Sequence, residues 1–480
     1  MIAVPIRLVT DSTAAAAAEV EEALYEVRRK IYPRAVAGAH ARWRWAIMLA
    51  TQVVFYGLPW LHWNNRQAVL FDLAARKFYI FGMVMWPQDV IYLTVLLVIA
   101  ALSLFLFTAV AGRLWCGYAC PQTVYTELFL WVERQFEGDR MARIRLDAGP
   151  LTVEKFARKS AKHSAWFLMA LWTGFTFVGF FSPIRSLLPE FATLRAGPWE
   201  TFWVLFYGFA TYGNAGWMRE QVCKHMCPYA RFQSVMFDRD TLLVTYDTER
   251  GDPRGARGRK ADPRSMGLGD CVDCGICVQV CPTGIDIRNG LQYECIGCTA
   301  CIDGCNAVMD KMGYARGLIR YDTANGLAQH LTFGQKLRRT FRLRTAIYST
   351  ILLAILTALV VSLVLHQPLK VDVLRDRGVL AREVAPGVIE NVYRLQIMNT
   401  DEAVHRFRID VTGLADSAIA GIDGPVEVVA ATTRMLPLRV RHSGAGSDLA
   451  PGTYPIRFTI ADIDNAGRQV VEKSTFIIPR

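Results

Sequence analysis

The residues of this chain best suited to chemistry are its twelve cysteines, all of which lie between Cys116 and Cys305. Eight of them form two runs with the spacing Cys-x2-Cys-x2-Cys-x3-Cys. This doubled spacing is typical of bacterial ferredoxins with two cubane clusters, in which the fourth cysteine of each run reaches the other cluster. The sequence therefore predicts two [4Fe-4S] clusters: cluster 1 on Cys271, Cys274, Cys277 and Cys305, and cluster 2 on Cys295, Cys298, Cys301 and Cys281.

Structural zinc and disulfide bonds are the competing interpretations of these eight cysteines. The first run ends in Cys281-Pro282, as is usual in such ferredoxins, whereas the second ends in Cys305-Asn306. Since proline shapes the chain and does not ligate iron, this departure leaves the predicted ligand set unchanged.

The other four cysteines lie in two elements of the form Cys-x3-Cys-Pro, at Cys116–Pro121 and Cys223–Pro228. Proline disfavours helical geometry in the residue before it but suits the first position of a new helix. We therefore expect Cys120 and Cys227 to be N-caps of the segments that follow. At that position the helix dipole and the free backbone amides should stabilise a thiolate.

Four thiolates in two similar elements form a soft ligand set that suits Cu(I). The sequence thus predicts a copper site, which is also the candidate catalytic site, formed by Cys116, Cys120, Cys223 and Cys227. His225 and Met226 lie between two of these cysteines and are further candidate copper ligands. The competing interpretation is that the four cysteines only pack at helix ends.

The elements that position these cysteines are apolar. The 480 residues are 52% hydrophobic with a net charge of +11. The mean hydropathy is +0.21. This composition excludes a disordered chain and favours a membrane protein. A helix needs roughly 20 apolar residues to cross a bilayer. The sequence predicts five such helices, at about 45–65, 90–112, 164–184, 201–218 (the weakest) and 345–367. The short apolar run 78–88 is interpreted as interfacial or re-entrant.

The distribution of lysine and arginine orients these helices. Residues 1–44, 113–162 and 219–344 carry seven, nine and nineteen basic residues, whereas residues 64–88 and 183–198 carry three and two. Basic loops stay in the cytoplasm, so the N-terminus and every cysteine are predicted to be cytoplasmic. Thiols remain reduced in that compartment, which favours metal binding over disulfides.

The remaining regions follow from this arrangement. Residues 1–44 are predicted to form a cytoplasmic segment with a surface helix that ends near Tyr32. Loop 113–163 and region 219–344 are predicted to be cytoplasmic too, with the ferredoxin domain at about 262–312. Residues 368–480 alternate apolar and polar side chains between turn signals. They predict about seven strands in a periplasmic β-sandwich of immunoglobulin-like architecture. The basic run 254–260 lacks interleaved aromatic residues, so nucleic acid is not an expected partner.

Over nearly its full length the chain resembles the FixG/RdxA/CcoG family, accessory factors for cbb-type cytochrome c oxidase. The matching stretches are 30–34, 115–124, 227–233, 269–274, 282–287, 290–292 and 308–314. The resemblance implies a five-helix bacterial inner-membrane protein with two [4Fe-4S] clusters and an outer immunoglobulin-like domain. It also implies a role in reducing Cu(II) to Cu(I) for the binuclear centre of the oxidase.

The resulting hypothesis is a membrane-bound cupric reductase, with the oxidase and its copper-delivery factors as partners and an electron donor that the sequence does not identify. One alternative is a quinone-linked polyferredoxin subunit that passes electrons to another redox enzyme. Another is a non-catalytic copper carrier or assembly scaffold. The predicted membrane helices are poor in histidine, which argues against haem within the membrane.

Overall fold

The computed structural model describes residues 30–376, 381–422, 424–443, 450–465 and 467–479. The surface helix expected before Tyr32 therefore lies outside the described residues. The helices in the first half are α1 (Ala39–Gly57), α2 (Val90–Ala111), α3 (Leu114–Tyr118), α4 (Pro121–Glu137), α5 (Arg140–Ala148), α6 (Val153–Val178), α7 (Ile184–Ala192), α8 (Pro198–Thr211) and α9 (Pro228–Met236). Those that follow are α10 (Thr248–Gly251), α11 (Ile276–Gln279), α12 (Ala300–Met312), α13 (Ala324–Ala328), α14 (Phe333–Thr340) and α15 (Leu343–Val364).

Two helical segments in the described part of the chain, Pro87–Ala111 and Leu343–Val364, are long and apolar enough to cross a membrane, by length and composition alone. They pack against each other, and the hydroxyls of Tyr92 and Ser362 are 3.0 Å apart. The predicted spans 90–112 and 345–367 correspond to these segments.

The other three predicted spans have different boundaries in the structure. Helix α1 ends at Gly57 instead of continuing to residue 65, because Pro59 lies in a 3-10 turn and the chain then turns back. Helix α6 begins at Val153 and ends at Val178, six residues before the predicted end. Helix α8 ends at Thr211 and continues as a π-helical segment, Tyr212–Met218.

The apolar run 78–88, interpreted from sequence as interfacial or re-entrant, forms β-structure and a 3-10 turn. Strands β1 (His62–Trp63) and β2 (Arg66–Gln67) form a short hairpin. They are followed by a three-stranded antiparallel sheet of β3 (Val69–Asp72), β4 (Lys77–Ile80) and β5 (Met83–Met85). Phe81 has a φ of 51°, so the turn between the last two strands reverses the chain within two residues. We call residues 58–89 the hairpin segment.

The loops at the two ends of the long helices form two separate groups. At one end, residues 30–44 contact the cysteine-rich region (residues 219–342): Arg34 N donates to Gln279 O at 2.8 Å. At the other end, the hairpin segment contacts the loop after α6, where Phe71 N donates to Phe180 O at 2.7 Å. The same segment contacts the C-terminal domain, since Lys77 Nζ donates to Ala431 O at 2.7 Å.

The C-terminal domain is a two-sheet antiparallel β-sandwich, as predicted. One sheet has the strand order β12 (Ser417–Ala420), β14 (Thr433–Ser443), β10 (Val388–Asn399) and β8 (Leu369–Arg375), with β9 (Arg382–Ala385) also on β10. The other has the order β13 (Val426–Val428), β11 (His405–Thr412), β15 (Gly452–Asp462) and β16 (Gln469–Ile478). Alternate residues point inward, so Tyr393, Leu395 and Ile397 of β10 are fully buried against Phe458 of β15.

The cysteine-rich region has a smaller core, and part of it consists of cysteines. Strands β6 (Leu243–Tyr246) and β7 (Ile319–Asp322) pair antiparallel beside α12. Their apolar residues pack with Met309 and with the cysteines of both ferredoxin runs. The cysteines are therefore part of the core of this region.

Candidate iron–sulfur and thiol sites

The cysteines predicted for cluster 1 lie together. Burial raises the pKa of the Cys305 thiol to about 12, and the neighbouring thiols of Cys277, Cys271 and Cys274 add to that effect. Cys271 and Cys274 come from one loop, Cys277 from the short helix α11 that follows it, and Cys305 from α12. The crossover between the two runs that the spacing predicts is therefore present in the fold.

The cysteines predicted for cluster 2 also lie together. Cys301 is deeply buried, and burial together with the thiols of Cys298, Cys295 and Cys281 raises its pKa well above the usual value. All four line one cavity, which Cys277 of the first set also borders. The two sets are thus adjacent, as they are in two-cluster ferredoxins.

The backbone of each run curls around its site in the same way. The third and fifth residues of each run have positive φ: Asp273 at 50° and Gly275 at 65° in the first, Gly297 at 68° and Thr299 at 61° in the second. Left-handed residues at these positions curl the loop around the space between the cysteines. The backbone amide of Gly297 also donates to Cys295, which opposes the rise in the pKa of that thiol caused by burial.

The spacing of the thiols fits a group larger than a single ion. All twelve cysteines lie within the described residues, and all are free thiols. Among the described residues, no three cysteine sulfurs lie within 4.8 Å of one another. A tetrahedral ion with bonds of about 2.3 Å would hold its sulfurs about 3.8 Å apart. The sulfurs are therefore wider apart in this structure than a single tetrahedral ion requires.

Two of the four remaining cysteines, Cys120 and Cys227, are helix N-caps, as predicted. Cys120 is the N-cap of α4 and Cys227 the N-cap of α9, and each has extended backbone geometry with proline at the first helical position. Although 107 residues separate the two elements in sequence, their thiols converge. Cys223 lies close enough to Cys120 and Cys227 for both to raise its pKa, after the larger effect of burial.

The backbone amides at the start of α4 favour a thiolate at Cys120, as expected, but burial has the larger effect on its pKa. Burial raises the pKa of both Cys116 and Cys223 to about 12. At Cys120 burial also raises the pKa, although the backbone amides of Thr123 and Gln122 oppose it. The desolvation penalty therefore exceeds the benefit of the amides at Cys120.

This thiol site lies directly against cluster 2. A Cβ added at Gly117, between Cys116 and Cys120, would lie 2.5 Å from Gly297 O, so the two backbones already touch. Cys116 and Cys223 pack against an apolar group that contains Cys298. A metal held by the four thiols would therefore be a direct neighbour of the cluster 2 loop.

Three polar residues that contact these cysteines were not assigned a binding role from sequence. Arg44, which is buried, donates to Cys298 O at 3.1 Å. Arg113 donates to Cys295 O at 2.7 Å and to Ala230 O of α9 at 3.0 Å. The only sequence signal for Arg113 is its position just before the first Cys-x3-Cys-Pro element.

Gln233 is the third of these residues. Its Oε1 accepts from the Cys116 thiol at 3.4 Å. This contact opposes the rise in the pKa of Cys116 that burial causes. By contrast, His225 and Met226 are exposed to solvent.

Comparison with known proteins identifies the family. The chain is 39% identical to the nitrogen fixation protein FixG of Rhizobium meliloti over 86% of this chain and 85% of that protein. It is 40% identical to protein RdxA of Cereibacter sphaeroides over 90% and 93% of the two chains. The chain belongs to the FixG/RdxA family. A FixG-related protein from Vibrio parahaemolyticus matches 23% of this chain at 25% identity with a TM-score of 0.20.

Three family models match separate parts of this FixG/RdxA protein. A 4Fe-4S dicluster domain covers residues 218–324, and the Ig-like fold at the C-terminus of FixG covers residues 359–479. A 4Fe-4S binding domain covers residues 93–137, which include Cys116 and Cys120. The chain is therefore a membrane-associated iron–sulfur protein of an electron-transfer family, with an immunoglobulin-like C-terminal domain.

Proposed function

We propose that the protein is a membrane-bound cupric reductase that reduces Cu(II) to Cu(I) on the cytoplasmic side of the bacterial inner membrane. The product serves the assembly of a cbb-type cytochrome c oxidase. The observation that carries this proposal is the convergence of the two Cys-x3-Cys-Pro elements against the loop that holds Cys298.

Different cysteines hold the clusters that supply electrons and bind the substrate copper. When bound, the two [4Fe-4S] clusters supply single electrons, and each Cu(II) ion takes one. The thiols of Cys116, Cys120, Cys223 and Cys227 bind the substrate copper, and as soft ligands they favour Cu(I). Since no three of these sulfurs lie within 4.8 Å, we expect two of them to hold copper at a time in this conformation. The side-chain amide of Gln233 lies against Cys116 and opposes the rise in its pKa, which favours the thiolate that binds copper.

Electrons and copper use different surfaces in this scheme. The reductant is a reduced cytoplasmic electron carrier that docks beside cluster 1, where Cys274 is exposed. Cu(I) leaves from the thiol site to the copper-delivery factors of the oxidase, with exposed His225 and Met226 as secondary ligands on its way out.

The grouping of loops supports five membrane crossings with the N-terminus in the cytoplasm and the β-sandwich in the periplasm. Helices α1, α2, α6, α8 and α15 each connect the side of the cysteine-rich region with the side of the hairpin segment and β-sandwich. At the cytoplasmic end, for example, Arg342 before α15 donates to Ala109 O of α2 at 2.6 Å. A five-crossing arrangement also places the basic loops in the cytoplasm.

The test is an anaerobic assay of Cu(I) formation with a Cu(I)-specific chelator. We expect the double variant Cys116→Ser/Cys223→Ser to retain both clusters, judged by iron and sulfide content, and to lose at least nine-tenths of the wild-type rate. Reduction at the wild-type rate would show that the copper site is assigned wrongly. Stoichiometric copper binding without turnover would instead identify a copper carrier or scaffold.

A second candidate function is electron transfer to another redox enzyme, with iron–sulfur in place of copper at the thiol site. It is favoured by the match of residues 93–137 to a 4Fe-4S binding domain and by the wide spacing of the four sulfurs. Iron analysis separates the candidates, because two cubanes contain about eight iron atoms per chain and three contain about twelve. Reduction of the clusters by quinol, without copper binding, would support the second function.

A further inference from the structure

The β-sandwich contains a cluster of ionisable side chains that has no part in the proposed function. His405 begins β11 and Asp462 ends the neighbouring strand β15. Asp464 follows two residues later, and the nearest ligand atoms of the three side chains all lie within 4.8 Å of one another. In the described residues this is the one group of three potential metal ligands with such spacing.

Two buried atoms in this cluster face each other without a hydrogen bond. His405 Nδ1 lies 3.0 Å from Asp462 Oδ2, and neither atom makes a hydrogen bond in the described part of the protein. Asp462 is 3% exposed. The other ring nitrogen, Nε2, lies 3.2 Å from Asp401 Oδ2 and 3.4 Å from Arg468 Nη1. If Nε2 donates its proton to Asp401, Nδ1 of the neutral imidazole carries a lone pair. Two acceptors then meet at 3.0 Å, which requires a cation, either a proton or a metal ion, at that point.

The geometry suits a metal ion. Bonds of about 2.0–2.1 Å to nitrogen and oxygen place tetrahedral ligand atoms about 3.3 Å apart, close to the observed separation of His405 and Asp462. A histidine that ligates metal commonly donates its other ring N–H to a carboxylate, which is the arrangement of His405 and Asp401. The Asp464 carboxylate also accepts from Arg406 Nη2 at 2.6 Å. It retains lone pairs for a further ligand bond.

The charge balance leaves room for a cation. Asp401, Asp462 and Asp464 supply three negative charges. Arg406 pairs with Asp464, and Arg468 Nη1 donates to Asp401 Oδ2 at 2.7 Å. With a neutral imidazole the group has a net charge of −1, and Asp462 has no cationic side chain of lysine or arginine within ion-pair distance in the described residues.

We propose that His405, Asp462 and Asp464 bind a divalent first-row transition-metal ion, and that Asp401 is a positioning residue for the imidazole. One imidazole and two carboxylates form a harder donor set than the thiols of the cysteine-rich region. The site would therefore select an ion such as Mn²⁺ or Zn²⁺ over Cu(I). This inference is independent of the proposed function, because it concerns a different domain and different ligand chemistry.

The experiment is a Mn²⁺ titration of the full-length protein in detergent, followed by the loss of the EPR signal of free Mn²⁺. Mn²⁺ is the probe because thiolates bind it poorly, and oxidised [4Fe-4S] clusters have no EPR signal. We expect wild type to bind one Mn²⁺ more per chain than Asp462→Asn or His405→Gln. Asp401→Asn should weaken binding 10–100-fold, as expected for a residue that orients a ligand.

The matched control is Asp410→Asn, which removes an exposed carboxylate that pairs with Arg408 on β11. It should bind Mn²⁺ like wild type. Substitution of the buried Asp462 could unfold the sandwich, so Asp464→Asn is a second test of the site. Because Asp464 is exposed, this substitution should weaken Mn²⁺ binding without unfolding the sandwich. Equal Mn²⁺ binding by wild type, Asp462→Asn and Asp464→Asn would overturn the proposal and leave a proton between His405 and Asp462.

Discussion

The two sets of cysteines are held by opposite kinds of structure. The eight ferredoxin cysteines lie in two short runs of loop and helix whose left-handed residues, such as Gly275 and Gly297, curl the backbone around each site. The four cysteines of the thiol site come instead from two elements far apart in sequence, each with one cysteine in a short helical turn and the next as the N-cap of a longer helix. A loop that provides three ligands from seven residues can form its site locally. The thiol site exists only when α4 and α9 are brought together, so it should depend more on distant contacts.

The most severe change at the boundary between the two sets is Cys298→Ser. Cys298 is a predicted ligand of cluster 2 and packs in the same apolar group as Cys116 and Cys223. We expect iron content to fall from about eight to about four atoms per chain and copper reduction to be lost. Iron and sulfide analysis with the Cu(I) assay measures both. If copper reduction persisted without cluster 2, electrons would reach the thiol site by another route.

Gly117→Ala tests whether contact between the two sites matters while all twelve cysteines are kept. The added Cβ would lie 2.5 Å from Gly297 O, so the backbones must separate. We expect copper reduction to slow about tenfold with iron content unchanged, because a small displacement of reacting groups has large effects on rate. Gly258→Ala is the control, since a Cβ there meets nothing within 4 Å. Equal rates for both variants would contradict direct transfer across this contact.

Arg44→Gln removes a buried positive charge beside cluster 2 only. Burial raises the pKa of Cys298 to about 12, and the Arg44 guanidinium opposes this by favouring negative charge there. Reduction adds negative charge to the cluster, so its potential should fall by on the order of 50 mV. An EPR-monitored redox titration measures the shift. Arg134→Gln is the control, because Arg134 pairs with the same Glu127 but is more exposed. An unchanged potential in Arg44→Gln would limit Arg44 to a structural role.

The smallest expected effect concerns Asp147, which secures residues 30–32 near the thiol site. Burial alone would raise its pKa, but Lys159, Lys30 and Tyr32 hold it below the usual value. A depressed folded-state pKa stabilises the protein above the unfolded value of about 4, and this stabilisation is lost as the pH falls further. Asp147→Asn should therefore cost about 1 kcal/mol at pH 7, since the site is partly exposed.

The effect of Asp147→Asn on stability should depend on pH. The difference between wild type and Asp147→Asn should shrink below about pH 4, when the Asp147 carboxyl of the unfolded chain is protonated. Thermal unfolding of cluster-free protein measures it, because acid removes the clusters. A difference that stayed constant down to pH 3 would show that the ion pairs are not its source.

The sequence predicted the features that depend on short-range spacing. The partition of eight cysteines into two sets follows from two runs of eleven residues, and the structure brings the same sets together. The N-cap positions of Cys120 and Cys227 follow from the proline after each. The β-sandwich follows from alternation of apolar residues along strands such as β10. The predicted span 45–65 failed at its end, because hydropathy does not register the turn that Pro59 begins.

The sequence by itself determined which residues could hold iron, since ligand spacing within a loop is a property of neighbouring residues. Only the tertiary structure decided that Gly117 touches Gly297 and that Cys116 meets Cys223. It also decided that burial outweighs the helix dipole at these thiols, because desolvation depends on everything packed around a group. The contact between His405 and Asp462 was likewise decided by the tertiary structure, because two strands distant in sequence place these side chains face to face.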